Sequence, residues 1–383
     1  MASRWKLVSE PVHAVPHTDS FFLESNDGAQ KLRIGCEPRP GAGGYMPDGN
    51  GGVASTALST RQWLAANVAY RPGDVIVCTY PKCGTTLTEQ IVLLLLNGGD
   101  AAALDPLSKN AANSTGKVGK VWPEVCVRPD AECTGARGGP EEFVHMTLAR
   151  FDGLPSPRVI KTHARARDLL GVRRPAPPAD PPTSSAVLAD GAKYIVVARN
   201  PFDAAASAYY HAWNPHRSGW PFAPWVEAWL QADAHGGCGG WASWLRGWHE
   251  VARRPGGGGS VLWLHYEDVV RDPAAEIRRV ARFLGIDDRD DSLIQRVVEG
   301  SSFGAMKAAA QAAAAEGGRS NTAEHLRKGK RGNGLEHFDE LGTEESLRLQ
   351  GLLRAAFHKG LDGTGLKFEC SHGVTLKANL KSE

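Results

Sequence analysis

The sequence predicts an α/β fold, a single domain with a central parallel sheet flanked by helices on both faces. Three observations carry this. Short apolar runs rich in β-branched or aromatic residues recur at 74–80, 158–162, 193–198 and 261–265. Each leads through a polar turn to further patterned chain, as in repeated strand–helix units. Lys82, His163 and Arg199 each stand just past one of these runs. Ligands of such sheets bind at the carboxyl ends of the strands, so the three residues are expected around one site.

Taken in order, residues 1–55 are poor in pattern and rich in glycine and proline, notably GAGGYMPDGNGG at 41–52, and are expected to form an irregular leader. A helix is expected over Ser59–Asn67, then the strand 74–80 after the turn signal Arg71-Pro72-Gly73. The long apolar segment after Thr86 reads as a buried helix. Residues 98–140, dense in Ala, Gly, Asn and Pro, read as a loop-like insertion. RVIKT at 158–162 is the second strand, followed by a proline-rich surface insertion at 173–185.

KYIVVA at 193–198 is the third strand. Asn200 is placed to cap the next helix, with Pro201 in its first turn and Asp203 where a capping-box acid would stand. Two tryptophan-rich amphipathic segments follow, PFAPWVEAWLQADA and WASWLRGWHEVARR, ended by the breaker run 255–259. VLWLH at 261–265 is the fourth strand. Asp272-Pro273 opens a helix that Gly285 stops. An Ala-rich tract at 308–315 reads as helix or loop, and TEESLRLQGLLRAAF as a closing helix. The domain is expected at 56–370, with a tail at 371–383.

Bulk properties narrow the function. The 383 residues carry 44 basic and 42 acidic side chains, a net charge of +2, so no general polyanion surface and no nucleic-acid partner are expected. The N-terminus lacks an apolar signal region, and the longest aliphatic run, Ile91–Leu96, is too short to span a bilayer. No membrane association is expected. Seven cysteines without a repeated spacing point to a reducing compartment, hence a cytoplasmic location. Cys78 and Cys83 lack a CxxC spacing and a second pair, so no zinc site and no metal requirement are expected.

The chemistry concentrates at Pro81-Lys82-Cys83-Gly84-Thr85-Thr86. A turn between strand and helix aims backbone N–H groups outward at a helix N-terminus, where an anion is welcome. Lys82 adds a cation, Gly84 permits close backbone approach, and Thr85 and Thr86 add hydroxyls. No GxxxxGK[ST] spacing is present, which argues against a nucleoside-triphosphate enzyme.

These residues resemble the motifs of sulfotransferases that use 3′-phosphoadenosine 5′-phosphosulfate (PAPS), in particular the cytosolic type. YPKCGTT at 80–86 is similar to the family's 5′-phosphosulfate loop PKxGTTW. RNPFDAAASAYYH at 199–211 resembles the segment whose Arg and Ser bind the 3′-phosphate, here Arg199 and Ser207. RKGKRG at 327–332 matches a second 3′-phosphate clamp, assigning Arg327, Lys328 and Gly329, with Phe338 at the expected spacing. RVIKTH at 158–163 resembles the stretch carrying the catalytic base, His163. Tyr266, Ser301 and Phe303 match adenine-side contacts. The resemblance covers about 57–365.

It implies a P-loop-like sulfotransferase fold and transfer of the sulfuryl group from PAPS to a hydroxyl or amine of a small-molecule acceptor. The products are PAP and a sulfated compound. His163 is the implied general base, Lys82 neutralises charge on the bridging oxygen, and Lys161 assists at the transferred group. Lys82, Cys83, Gly84, Thr85, Thr86 and Leu87 form the implied loop contacts. PAPS carries two anionic groups, matched by two basic sets: Lys82/Thr85/Thr86 and Arg199/Ser207/Arg327/Lys328. The alternative is a PAP- or PAPS-binding relative without catalysis, serving as an interaction module; retention of both Lys82 and His163 argues for the enzyme.

Departures are informative. Leu87 stands where the family's tryptophan stacks on adenine, which implies weaker nucleotide affinity or greater reliance on Tyr266 and Phe303. Leu335, Asp339 and Glu340 replace the Lys, Thr and Val of the family's dimerisation pattern, so a monomer or a non-standard dimer is expected.

Overall fold

The computed structural model describes three strands within 5–34, then residues 67–104, 120–123, 147–166, 188–210, 221–231, 240–254, 260–315, 333–370 and 375–379. The expectations at 59–66, 173–185, 255–259 and 327–332, and most of 98–140, lie outside these residues.

The chain opens with an antiparallel meander, β1 (Trp5–Ser9), β2 (Phe21–Ser25) and β3 (Lys31–Ile34), in that order. Trp5 pairs with Ser25 and Phe21 with Ile34. This part of the expected irregular leader is therefore regular. Its signal is the apolar–polar alternation of Trp5-Lys6-Leu7 and Lys31-Leu32-Arg33-Ile34, a period of two suited to strands.

The main sheet has five parallel strands in the order β5 (Lys120–Val121), β6 (Val159–Thr162), β4 (Val75–Thr79), β7 (Lys193–Ala198) and β8 (Val261–His265). Four were expected from sequence. The fifth, β5, lies in the stretch read as loop-like, because two residues carry no detectable period. β4 is central, with later strands added first on one side and then on the other. The strand ends beside β4 therefore mark a topological switch point, the usual ligand crevice of an open α/β sheet.

Alternate residues of β4 serve opposite faces. Ile76 and Cys78 join Ile160, Tyr194 and Val196 in one core. Val75 and Val77 join Val159, Ile195 and Val197 in the other. Burial on both sides is why the strands read as continuous apolar runs.

The second core is covered by α1 (Thr85–Leu96), α7 (Pro273–Leu284) and α8 (Asp291–Gly300) through Leu94, Ile277, Val280 and Val297. The first is covered by α3 (Pro201–Tyr209), α4 (Phe222–Gln231), α5 (Trp241–Ala252), α10 (Asn333–Asp339) and α11 (Thr343–Leu361). Trp229, Trp244, Trp248, Phe338 and Phe357 fill it. Short helices α2 (Leu148–Asp152) and α6 (Tyr266–Arg271) and the longer α9 (Phe303–Ala315) complete the set. The Ala-rich tract is thus helical, and Gly285 ends α7 with φ 82°. At the amino ends of β4 and β6, Arg158 Nε donates to Asp74 Oδ1 at 2.9 Å inside the core.

The expected tail is also partly built in. β9 (Lys367–Glu369) pairs antiparallel with β10 (Thr375–Lys377), and Leu376 is buried. No helix of the described residues is long and apolar enough to cross a membrane.

Candidate active site

The register of the sheet brings four strand ends together. Cys78 of β4 pairs with Thr162 of β6, Thr79 with Val197 of β7, and Ala198 with His265 of β8. The next residues out are therefore the turn at 80–84, His163, Arg199 and Tyr266, the segments singled out by sequence.

The turn after β4 is built to stay open. Lys82 has φ 68° and Gly84 φ 103°, two left-handed residues in three. Gly84 is the N-cap of α1 but brings no side-chain cap, and the first turn holds no acid. The first N–H groups of α1 thus lack helical partners while the helix dipole favours an anion. Thr85 Oγ1 lies 2.6 Å from Thr79 Oγ1, which ties the first turn of α1 to the end of β4. Cys83 turns inward: its side chain is buried and its N–H donates to Tyr80 O at 3.1 Å. Burial pushes the Cys83 thiol far up, against the opposing pull of Arg199, so it remains a neutral packing group.

His163 sits over this turn. Its Nδ1 is 2.8 Å from Thr79 O and 3.3 Å from Thr79 Oγ1. A carbonyl only accepts, so in the neutral ring the proton sits on Nδ1 and the lone pair on Nε2. Two tryptophans one turn apart on α5 hold the backbone beneath it. Trp244 Nε1 donates to His163 O and Ala164 O at 3.0 Å, and Trp248 Nε1 to Ala164 O at 3.2 Å. Trp122, just past β5, meets the His163 ring edge-on at 5.2 Å between centroids. The Lys161 ammonium lies 3.8 Å from the Trp122 ring centroid. Lys161 and His163 therefore flank one aromatic ring.

Arg199 and the open turn touch directly. Arg199 Nη1 donates to Lys82 O at 2.9 Å, and its guanidinium lies 4.2 Å from the Tyr266 ring centroid. Nη2 is 3.6 Å from Asp203 Oδ2, in the first turn of α3. Arg199 is only 8% exposed and its Nε has no hydrogen-bond partner among the described residues. A buried guanidinium N–H without a protein acceptor suits an anionic ligand oxygen. Asn200 Oδ1 caps α3 by accepting from Asp203 N at 2.9 Å, as its position in the sequence predicts.

The remaining assignments separate. Tyr266 lies against Gly84: a Cβ added there would fall 2.7 Å from the ring. Leu87 packs against Met306 and Ala310 of α9, so the place of the family's aromatic platform faces that helix. Ser301 Oγ donates to Val297 O at 2.7 Å, satisfying its own helix end. Phe303 opens α9, with the Lys307 ammonium 6.0 Å from its ring. Ser207 is half-buried on α3, one turn beyond Asp203. Phe338 is a core anchor, edge-on to Phe202 and Phe222. Arg327, Lys328 and Gly329 lie outside the described residues.

Sequence reasoning missed Thr79, Trp122 and Glu267. Thr79 reads only as a residue of the strand 74–80, and Trp122 lies in the stretch read as loop-like. Glu267 is 3% exposed, and its Oε1 accepts from Asn200 N at 2.9 Å and Asn200 Nδ2 at 2.8 Å. Burial raises its carboxyl above the ordinary range, although Asn200 and Arg199 pull it back. For Trp244 and Trp248 a signal existed, since a spacing of four places both on one helix face.

The chain is similar to known proteins. Residues 72–349 match the family model described as a sulfotransferase domain. Human sulfotransferase 1C2 is 26% identical over 304 residues, covering 78% of this chain and 86% of that protein. Sulfotransferase 1B1 of Canis lupus familiaris is 28% identical over 240 residues, 62% of this chain and 67% of the other. Among solved structures, mouse sulfotransferase SULT7A1 complexed with PAP superposes with a TM-score of 0.51 at 19% identity, over 79% of this chain and 90% of that one. Retinol dehydratase, solved with androsterone and PAP, gives 0.56 at 18% identity, over 96% and 99%. At these identities the structures speak for the fold. The family match spans all five parallel strands and the open turn, and on that ground the chain belongs to the PAPS-dependent sulfotransferase family.

Proposed function

We propose that this protein transfers the sulfuryl group of PAPS to a hydroxyl, or an amine, of a small-molecule acceptor with His163 as general base. The observation that carries the reading is the bond from His163 Nδ1 to Thr79 O, which in the neutral ring places the lone pair on Nε2. A module that only bound nucleotide would need no such oriented base.

PAPS supplies an activated sulfuryl group on a good leaving phosphate. The uncapped N-terminus of α1, Lys82, Thr85 and Thr86 would receive its 5′ side, and Arg199 with Ser207 its 3′-phosphate. The Arg199 Nε–H, which has no hydrogen-bond partner among the described residues, supports that fit. Arg327 and Lys328 are assigned to the same phosphate by resemblance. As the acceptor oxygen–sulfur bond forms and the bridging oxygen–sulfur bond breaks, His163 Nε2 takes the acceptor proton. Lys82 stabilises negative charge on the departing oxygen, and Lys161 stands beside Trp122 to assist at the transferred group. Positioning and charge stabilisation dominate such transfers, so the pinned backbone at 163–164 matters as much as the base itself.

The test is labelled PAPS with a mixed panel of phenols, alcohols, amines and sugars, products being read by mass spectrometry. Wild type should sulfate at least one class. His163→Ala should lose roughly 10²–10⁴ in turnover while binding PAP nearly as well. A variant that turned over at near wild-type rate would remove His163 from the role of base.

A further inference from the structure

We propose that Glu267 is the positioning residue of the nucleotide site, holding Arg199 in place through Asn200. This rests on the reading of Arg199 as a ligand of the nucleotide's 3′-phosphate. Glu267 is buried and bonded to the turn that carries Arg199.

The linkage runs through short hydrogen bonds. Glu267 Oε1 accepts from both the backbone N–H and the side-chain amide of Asn200, at 2.9 and 2.8 Å. Asn200 is wholly buried, and its remaining side-chain oxygen caps α3 at Asp203 N. One carboxylate oxygen thus fixes Asn200 in two directions, and with it the peptide joining Asn200 to Arg199. From the other side, Trp241 Nε1 donates to Arg199 O at 3.1 Å. The Arg199 side chain is then held over Tyr266 and against Lys82 O. Glu267 and Tyr266 are adjacent in sequence, so α6 sets the ring under the guanidinium and the turn that carries it.

A carboxylate would not be expected here for stability alone. Glu267 Oε2 has no hydrogen-bond partner among the described residues, and leaving a carboxylate oxygen buried and unpaired is costly. A buried acid retained at that cost beside a buried arginine fits a role in orientation and local charge balance, as expected of groups that support a binding residue.

The experiment compares PAP with adenosine 5′-monophosphate, which lacks the 3′-phosphate, by calorimetry on the full chain. Arg199→Lys should weaken PAP and spare the monophosphate, which checks the underlying reading by itself. Glu267→Ala should show the same selective loss, about tenfold for PAP, and add little when combined with Arg199→Lys. Glu267→Gln, whose carbonyl can still accept from Asn200, should restore most of the selectivity. Should Glu267→Ala not fold, Glu267→Asp draws the carboxylate back by one methylene and must show the same pattern. If Arg199→Lys is selective while the folded Glu267 variant binds PAP like wild type, or loses both nucleotides equally, the positioning role is overturned. If Arg199→Lys itself leaves PAP unaffected, the 3′-phosphate reading fails instead.

Discussion

Two strand-to-helix turns meet at this site and are built in opposite ways. The turn after β4 uses left-handed Lys82 and Gly84 and leaves the N-terminus of α1 without a side-chain cap. The turn after β7 closes its helix completely, with Asn200 as cap, Pro201 in the first turn and Asp203 as the acid. The first offers backbone N–H groups and is receptive to an anion. The second has spent its N–H groups internally and presents a side chain, Arg199, instead. One end of the sheet therefore offers two kinds of donor suited to anions, main-chain N–H groups after β4 and a guanidinium after β7. The Arg199–Lys82 bond joins them.

The largest way to break this contrast is to fill the open turn. Gly84→Ala adds a Cβ at φ 103° and 2.7 Å from the Tyr266 ring. The left-handed strain alone costs about 1–2 kcal/mol, and Tyr266 must move away from Arg199 as well. PAP affinity should fall by about tenfold or more, alongside a lower melting temperature. An alanine variant that bound PAP normally would show that close backbone approach is unnecessary.

Leu87→Trp tests the same turn in the other direction. A base stacked on an aromatic gains roughly 1–3 kcal/mol, so PAP should bind more tightly, provided that Met306 and Ala310 yield to the larger ring. Equal PAP affinity in the two proteins would mean that Leu87 does not limit nucleotide binding.

At the closed turn, Asn200→Ala removes the cap of α3, worth about 1 kcal/mol, and also the amide bond to Glu267, so a loss in urea or thermal unfolding should come with weaker PAP binding. Unchanged stability would indicate that Pro201 and Asp203 suffice to start α3.

Much of this was legible before any coordinates. The strands at 193–198 and 261–265, the cap at Asn200 and the stop at Gly285 follow from local chemistry, and they stand where expected. Lys82, His163 and Arg199 were recognisable because each follows a strand, and strand ends of a parallel sheet must share an edge. By contrast, β5, β9 and β10 are only two or three residues long and become visible only beside their partners, and the alternation in β1 and β3 does not say which strands pair.

What the sequence alone determined is the class of fold and the order of the segments expected to bind the donor, because period, turn residues and motif spacing are local properties. Only the tertiary structure decided which nitrogen of His163 faces Thr79 O, which ring lies beside Lys161, and which acid bonds Asn200 next to Arg199. Thr79 is 84 residues from His163, and Glu267 is 67 from Asn200. Hydrogen bonds across such separations depend on how strands are ordered and registered in the sheet, and no window along the chain contains both partners.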